Sequence, residues 1–302
     1  MIPESNADVN PIAPAGTFTD TTTRTFTSAT TQPLTEALTG PTDPTTNPAT
    51  QLIVGAVTRP IIIADYEEIA VARVERTAWD YYRSGSDDEV TLRANRAAFE
   101  RWRLRPRMLV DVSVCDTATT VLGTPVRAPI LVAPTAYHCL AHPLGECETA
   151  RGAGAAGTLM VVSTLATQRL EAVAQAATGP LWFQLYVYKD RSVSEDLVRR
   201  AEAAGYQALV LTVDTPRLGN RDRDRRNGFA LPPHLHMANF TDEENQTDRE
   251  TRAHEEGTSG LARHTMAMFD ASLTWEAVDW LRSITKLPLL VKGILTPEDA
   301  AL

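Results

Sequence analysis

Short apolar runs separated by helix-like stretches recur along this chain at steps of roughly 25 residues. Pro129-Ile130-Leu131-Val132-Ala133 is the first, followed by Leu159 to Ser163, Leu181 to Tyr186 and Ala208 to Val213. A fifth, Leu287 to Val291, arrives after a longer gap. Few architectures accept such a rhythm, because strands joined by crossover helices must run parallel and be covered on both faces. Two of the runs close on polar side chains, Phe183-Gln184-Leu185-Tyr186 and Leu211-Thr212-Val213-Asp214-Thr215-Pro216-Arg217. In a parallel α/β barrel the carboxyl ends of the strands line one shared mouth, which is where chemistry is presented.

Composition narrows the function classes. A chain of 302 residues is long enough for a sizeable core, and 43% apolar residues suit a globular protein. No apolar run approaches the roughly 18 residues needed to cross a bilayer. A net charge of -9 argues against nucleic acid or an anionic membrane as main partner. Cys115, Cys139 and Cys147 form no paired framework, which fits a reducing compartment. With no signal-peptide pattern at the start, cytoplasmic residence is the expectation.

The first 60 residues contain sixteen threonines and eight prolines and few large apolar side chains. Such a composition cannot offset the entropy of ordering, so residues 1–60 read as a disordered extension, with one apolar patch at Leu52-Ile53-Val54. The folded domain is expected over 61–302. It opens with three helices: one capped by Asp65 and Glu68 and running through Ala70, one from Val74 to Tyr82, and one from Asp87 to Trp102. The third places Leu92, Ala98 and Phe99 for burial. Further helices are expected from Gly145 to Ala156, from Gln168 to Ala177, after a cap at Ser192 or Ser194, and around Val278, Leu281 and Ile284. The polar stretch 217–272 reads as a long lid-like loop. Thr296-Pro297-Glu298-Asp299 is a strong helix start close to the last residue, so the chain reads as stopping inside a repeating unit.

Gly152-Ala153-Gly154-Ala155-Ala156-Gly157 matches the dinucleotide fingerprint by letter, but it closes a helix and precedes a strand. The fingerprint requires the reverse order, so small residues for tight helix-on-sheet packing are the better account. His138, Cys139, His142 and Cys147 fit no structural zinc spacing, and the acids near them read as helical surface residues, so no metal is expected. Pro134-Thr135-Ala136 reads either as a turn or as backbone laid against a flat ring. Gln184 and Thr212 can hydrogen-bond a heterocycle, and Lys292 places a cation where it could stabilise a reduced ring. Tyr186 can hold an oxyanion, and Arg221 can clamp a carboxylate, while the rest of Arg217 to Arg226 reads as a mixed surface segment. Tyr81 and Tyr82 read as core aromatics, one of which could lean over the mouth. These groups suit a flavin facing a small hydroxy acid.

From Asp65 to Leu302 the chain resembles the FMN-dependent α-hydroxy-acid oxidase and dehydrogenase family, which includes glycolate oxidase and lactate oxidase. The matching blocks are Trp79 to Gly85, Asn95 to Phe99, Ala133 to Ala136, Trp182 to Tyr186, Leu211 to Pro233 and Leu287 to Gly293. The resemblance implies a TIM (β/α)8-type barrel with an N-terminal helical segment, of which about five of eight strands are present. It implies FMN contacts at Pro134, Thr135, Ala136, Ser163, Gln184, Thr212 and Lys292, and substrate contacts at Tyr81, Tyr186 and Arg221. It also implies oxidation of an L-2-hydroxy acid to the 2-oxo acid, with oxygen, a quinone or a cytochrome reoxidising the flavin, and a homo-oligomer when complete. Leu165 stands where glycolate oxidase has a bulky tryptophan, leaving room for lactate or a longer acid. The family's histidine base and the glycine-rich loops that hold the FMN phosphate lie beyond the fifth strand, and their motifs do not occur in this sequence. By itself the chain is therefore expected to bind FMN weakly, to aggregate or need a partner, and to show no meaningful turnover, as a truncated product or one half of a split enzyme.

Overall fold

A computed structural model describes residues 59–240 and 268–302. The extension at 1–58, with its apolar patch, and the central part of the lid-like loop lie outside the described residues.

Three helices come first: α1 (Ile63–Arg73), α2 (Arg76–Arg83) and α3 (Val90–Glu100). Asp65 lies within the first turn of α1 and reaches back to accept from the Ile61 and Ile62 amides at 2.7 and 3.1 Å. α1 runs past the expected Ala70. Helix α2 starts two residues later than expected, because the Glu75 side chain caps it by accepting from the Thr77 and Ala78 amides. Helix α3 also starts late: Asp87 and Glu89 both adopt positive φ, which keeps residues 87–89 out of the helix. Phe99, expected in the core, is 81% exposed.

A hairpin of β1 (Thr119–Val121) and β2 (Thr124–Val126) follows, which the sequence rhythm did not reveal because each strand has three residues. The strand–helix alternation then runs through α4 (Gly145–Ala155), β3 (Met160–Val162), α5 (Leu170–Ala176), β4 (Leu181–Leu185), α6 (Arg191–Ala203) and β5 (Leu209–Thr212). Helix α7 (Asp222–Asn227) lies inside the stretch expected to be loop, and α8 (Glu276–Ile284), β6 (Leu289–Lys292) and α9 (Pro297–Ala300) close the chain. Strands β3 to β6 pair in sequence order, all parallel. The expected first strand, Pro129 to Ala133, is reduced to one bridge in which Val132 pairs with Met160. Helix α6 is capped by Asp190, which accepts from the Ser192 amide, and not by Ser192 or Ser194. The Ser194 hydroxyl instead accepts from the Tyr188 amide at 2.9 Å.

Side chains alternate across each strand. Met160, Val162, Phe183, Leu185, Leu209 and Leu211 join the larger core with the helices, including Leu197, Val198 and Ala201 of α6 and Leu281 of α8. Val161, Trp182, Val210 and Leu290 form a second apolar cluster on the opposite face.

The glycine run in α4 divides by position. A methyl group on Gly154 would lie 2.5 Å from the Gly179 nitrogen, whereas one on Gly152 would meet open space. The close approach is thus to the turn before β4, and only part of the run is needed for packing. Gly154→Ala should cost about 1–3 kcal/mol by overpacking. Gly152→Ala should be neutral or stabilising by up to about 1 kcal/mol, since Ala has the higher helix propensity. Urea unfolding of the two variants checks this; equal midpoints would show that the Gly154 contact is dispensable.

Candidate active site at the strand ends

The second, smaller face of the sheet sets the position of the site. Counting two residues onward from its apolar members gives Ser163 after Val161, Gln184 after Trp182, Thr212 after Val210 and Lys292 after Leu290. Each polar group is therefore the next outward step on a stride whose earlier members are packed.

These groups are linked. Gln184, 1% exposed, accepts from Ser163 Oγ at 3.3 Å and from the Thr164 amide at 3.2 Å through Oε1. Its Nε2 donates to Thr212 Oγ1 at 3.0 Å. Thr164 Oγ1 donates to the Gln184 carbonyl at 2.6 Å and accepts from the Tyr186 amide at 3.3 Å, joining the ends of β3 and β4. Lys292 is half-exposed, and its Nζ lies 3.4 Å from Asp214 Oδ2. Gly293 follows with φ +108°, and a methyl there would sit 2.5 Å from Asp214 Cβ, so this turn needs glycine.

A cavity of about 340 Å³ opens over these groups. Pro134, Thr135, Ala136, Ser163, Gln184 and Lys292 line it, and so do Tyr81, Tyr186 and Arg221. Thr212 does not reach it; it stands behind Gln184 and lines a neighbouring cavity. Leu165, 3% exposed, contributes an apolar wall.

The arginine side of the cavity is built from α2 and α7. Arg221 donates through Nη2 to the Tyr81 carbonyl, with Ser84 O and Oγ at 3.4 and 3.3 Å. Its guanidinium carbon lies 4.7 Å from the centre of the Tyr81 ring, which itself stacks on Phe229 at 4.7 Å. Arg221 Nε lies 3.1 Å from Asp224 Oδ2. Asp224 was expected in a surface segment but is 1% exposed. Burial raises its pKa above the usual aspartate value, and Arg221 opposes that shift. Burial also holds the Tyr81 and Tyr82 hydroxyls well above the ordinary tyrosine value. Tyr82 uses its hydroxyl to donate to the Tyr137 carbonyl at 2.6 Å. The Tyr186 hydroxyl is pushed up to about 12 by burial, with Asp214 adding to the shift. At neutral pH both Tyr81 and Tyr186 are therefore protonated donors.

The histidine–cysteine cluster has other work. His138 Nδ1 is 2.9 Å from Thr149 Oγ1, and burial lowers its pKa, with Glu146 partly opposing. It does not line the cavity. Glu146, expected on a helix surface, is fully buried. It accepts from the His138 amide at 3.0 Å, the Thr167 amide at 2.9 Å and Thr167 Oγ1 at 2.9 and 3.1 Å. Sequence reasoning also passed over Phe269, a lining residue at the far end of the polar excursion.

Strand-end hydroxyls and an amide on one side of a cavity, with an arginine and two neutral tyrosines on the other, define the ligand-binding mouth of a parallel α/β barrel that can hold a flat heterocycle beside a small anion. The chain belongs to the FMN-dependent dehydrogenase family, whose pattern matches residues 70–302. It is 50% identical over 250 residues to an L-lactate oxidase from Nostoc sp., covering 82% of this chain and 67% of that protein. It is 52% identical over 240 residues to glycolate oxidase 1 from Zea mays, covering 80% and 64%. Among solved structures, mandelate oxidase with (S)-4-hydroxymandelic acid is similar with a TM-score of 0.73 and 43% identity, over 79% of this chain and 65% of that one. The chain thus spans about two thirds of the length of these relatives. The fold is that of this TIM-barrel family, represented among the described residues by a parallel sheet of four strands that the Val132–Met160 bridge extends.

Proposed function

We propose that this protein takes part in the FMN-dependent oxidation of a small L-2-hydroxy acid, of the lactate or glycolate kind, to the 2-oxo acid. The observation that carries this reading is the single cavity shared by Ser163, Gln184 and Lys292 with Tyr81, Tyr186 and Arg221. The donor set suits FMN: a buried amide and hydroxyls for the ring's polar edge, a cation beside them, and small side chains at Pro134 to Ala136 where a ring can lie close. FMN, when bound, supplies the two-electron acceptor. Arg221 pairs with the substrate carboxylate, held in orientation by the Tyr81 ring and carbonyl. Tyr186, neutral to about pH 12, donates to the oxygen on C2 and steadies it as its proton leaves. Among the described residues no histidine lines the cavity, and the residues that do line it hold and orient the substrate. Oxygen then serves as final acceptor, yielding peroxide.

The test uses the whole 302-residue chain. FMN fluorescence should be quenched on titration, and Gln184→Ala should weaken binding about tenfold, the equivalent of one lost hydrogen-bond set. Anaerobic L-lactate should bleach the bound flavin slowly, and added imidazole, a free proton acceptor, should accelerate it. Flavin that binds but is bleached in neither condition would remove the oxidation reading. Admission of air should then give peroxide; reoxidation only by a quinone or cytochrome would replace the oxidase reading with a dehydrogenase.

A further inference from the structure

A second cavity, of about 350 Å³, adjoins the first. Tyr186, Thr215 and Phe269 line both, so they stand as the partition between them. On the far side the walls are largely apolar, with Leu273, Trp275, Val278, Val291 and Ile294.

Phe269 is the bulkiest apolar part of this partition, and it is fixed from several directions. Its ring stacks on Tyr186 at 4.4 Å and meets Tyr188 edge-on at 5.2 Å. The backbone on either side is paired beyond the end of β4, with the Lys189 amide donating to the Met268 carbonyl at 2.9 Å and the Asp270 amide to the Val187 carbonyl at 3.0 Å. Asp270 is latched in turn by Arg191 Nη2 at 2.9 Å and by the Ser272 amide at 2.9 Å. Arg191 lies over Trp280 of α8, 4.4 Å from its ring centre. Hydrogen bonds from Ser272, with help from Arg191 and Lys189, hold the Asp270 carboxyl below its usual value, so the latch is charged at neutral pH and is lost only as acid passes below that lowered value.

We infer that Phe269 is the specificity-determining residue for the C2 substituent of the 2-hydroxy acid: its ring closes the first cavity against the second and restricts the site to small substituents. This rests on the proposed function. With the carboxylate on Arg221 and the C2 oxygen at Tyr186, the substituent faces the large apolar lining residues Leu165, Leu218 and Phe269, of which only Phe269 also borders the second cavity. Removing the Phe269 ring would join two spaces of similar size and give a bulky apolar substituent a place to go.

The experiment measures binding of L-lactate, L-mandelate and L-3-phenyllactate to the FMN-loaded chain by perturbation of the flavin absorbance, and to the flavin-free chain by calorimetry. Phe269→Ala should shift the ratio of phenyl-bearing acid to lactate affinity at least tenfold toward the former, the scale at which apolar pockets discriminate. Phe269→Leu, which keeps most of the volume, should shift it less. Thermal unfolding and flavin content report whether each variant is folded. Equal changes for all three acids, or none, in folded variants that still bind lactate would overturn this inference and leave the proposed function standing. Failure of the unaltered chain to bind any of the three acids would overturn both.

Discussion

Arg221→Ala is expected to cost about 3 kcal/mol of stability and to abolish most binding of a 2-hydroxy-acid carboxylate. The stability effect comes from Asp224, which is 1% exposed and has Arg221 Nε 3.1 Å away. Removing one member of a buried pair leaves the other charge uncompensated. The binding effect comes from loss of a planar donor whose orientation is set by the Tyr81 ring and carbonyl. The two effects separate in a double variant. Arg221→Ala with Asp224→Asn should recover much of the stability, because a neutral amide tolerates that site, while leaving carboxylate binding absent. Arg221→Lys should keep most of the stability and still lose about tenfold or more in affinity, since an ammonium cannot reproduce the fork geometry. Urea unfolding and lactate titration read the two quantities. If the single and double variants unfold at the same urea concentration, Asp224 does not depend on Arg221. If lactate affinity survives Arg221→Ala, the carboxylate sits elsewhere in the cavity.

Glu146→Ala is expected to be of similar size, about 3–5 kcal/mol, for a reason unconnected with ligand binding. A fully buried carboxylate there satisfies two backbone amides and one hydroxyl, from His138 and Thr167, and so ties the loop after the first apolar run to the loop after β3. Hydrogen bonds to a charged acceptor are worth about 1.5–3 kcal/mol each, and orphaned buried donors add their own desolvation cost. Glu146→Gln should cost less, about 1–2 kcal/mol, because Oε1 carries both amides and an amide NH2 in place of Oε2 can still donate to Thr167 Oγ1. Chemical denaturation ranks the three proteins. Near-identical stabilities for the alanine variant and the parent would mean that water replaces the carboxylate and the loops hold without it.

How far the sequence carried can be seen in β4. Leu181 to Tyr186 was legible as a strand because Leu181, Trp182 and Phe183 form a short apolar run closed by Gln184-Leu185-Tyr186, and β4 occupies Leu181–Leu185. Gln184 and Lys292 were legible as polar groups that close apolar runs, whereas Ser163 came with the family resemblance; all three line the cavity. What stayed hidden depends on long-range contacts. Pro129 to Ala133 has a strand's composition, yet only Val132 finds a partner. Glu146 looks like any acid in a helix's first turn; its burial follows from donors 8 and 21 residues away. Phe269 follows a long polar stretch, and nothing local says that its backbone returns to pair beside Val187. Ser192 and Ser194 were plausible caps, but Asp190 lies one residue before the first turn and took that place.

The two-residue stride on the smaller face of the sheet has a consequence for how this site tolerates change. Val161, Trp182, Val210 and Leu290 act as a ruler, and Ser163, Gln184, Thr212 and Lys292 are its next mark. Replacing a mark by another side chain alters chemistry and leaves the ruler intact. Deleting one residue within β4 does something different in kind: it shifts the phase, aiming Leu185 at the cavity and sending Gln184 toward the helices. The mouth is thus encoded like a message read in frame. Substitutions edit single letters, and an insertion or deletion within a strand garbles every later letter of that strand at once, up to the loop that follows it.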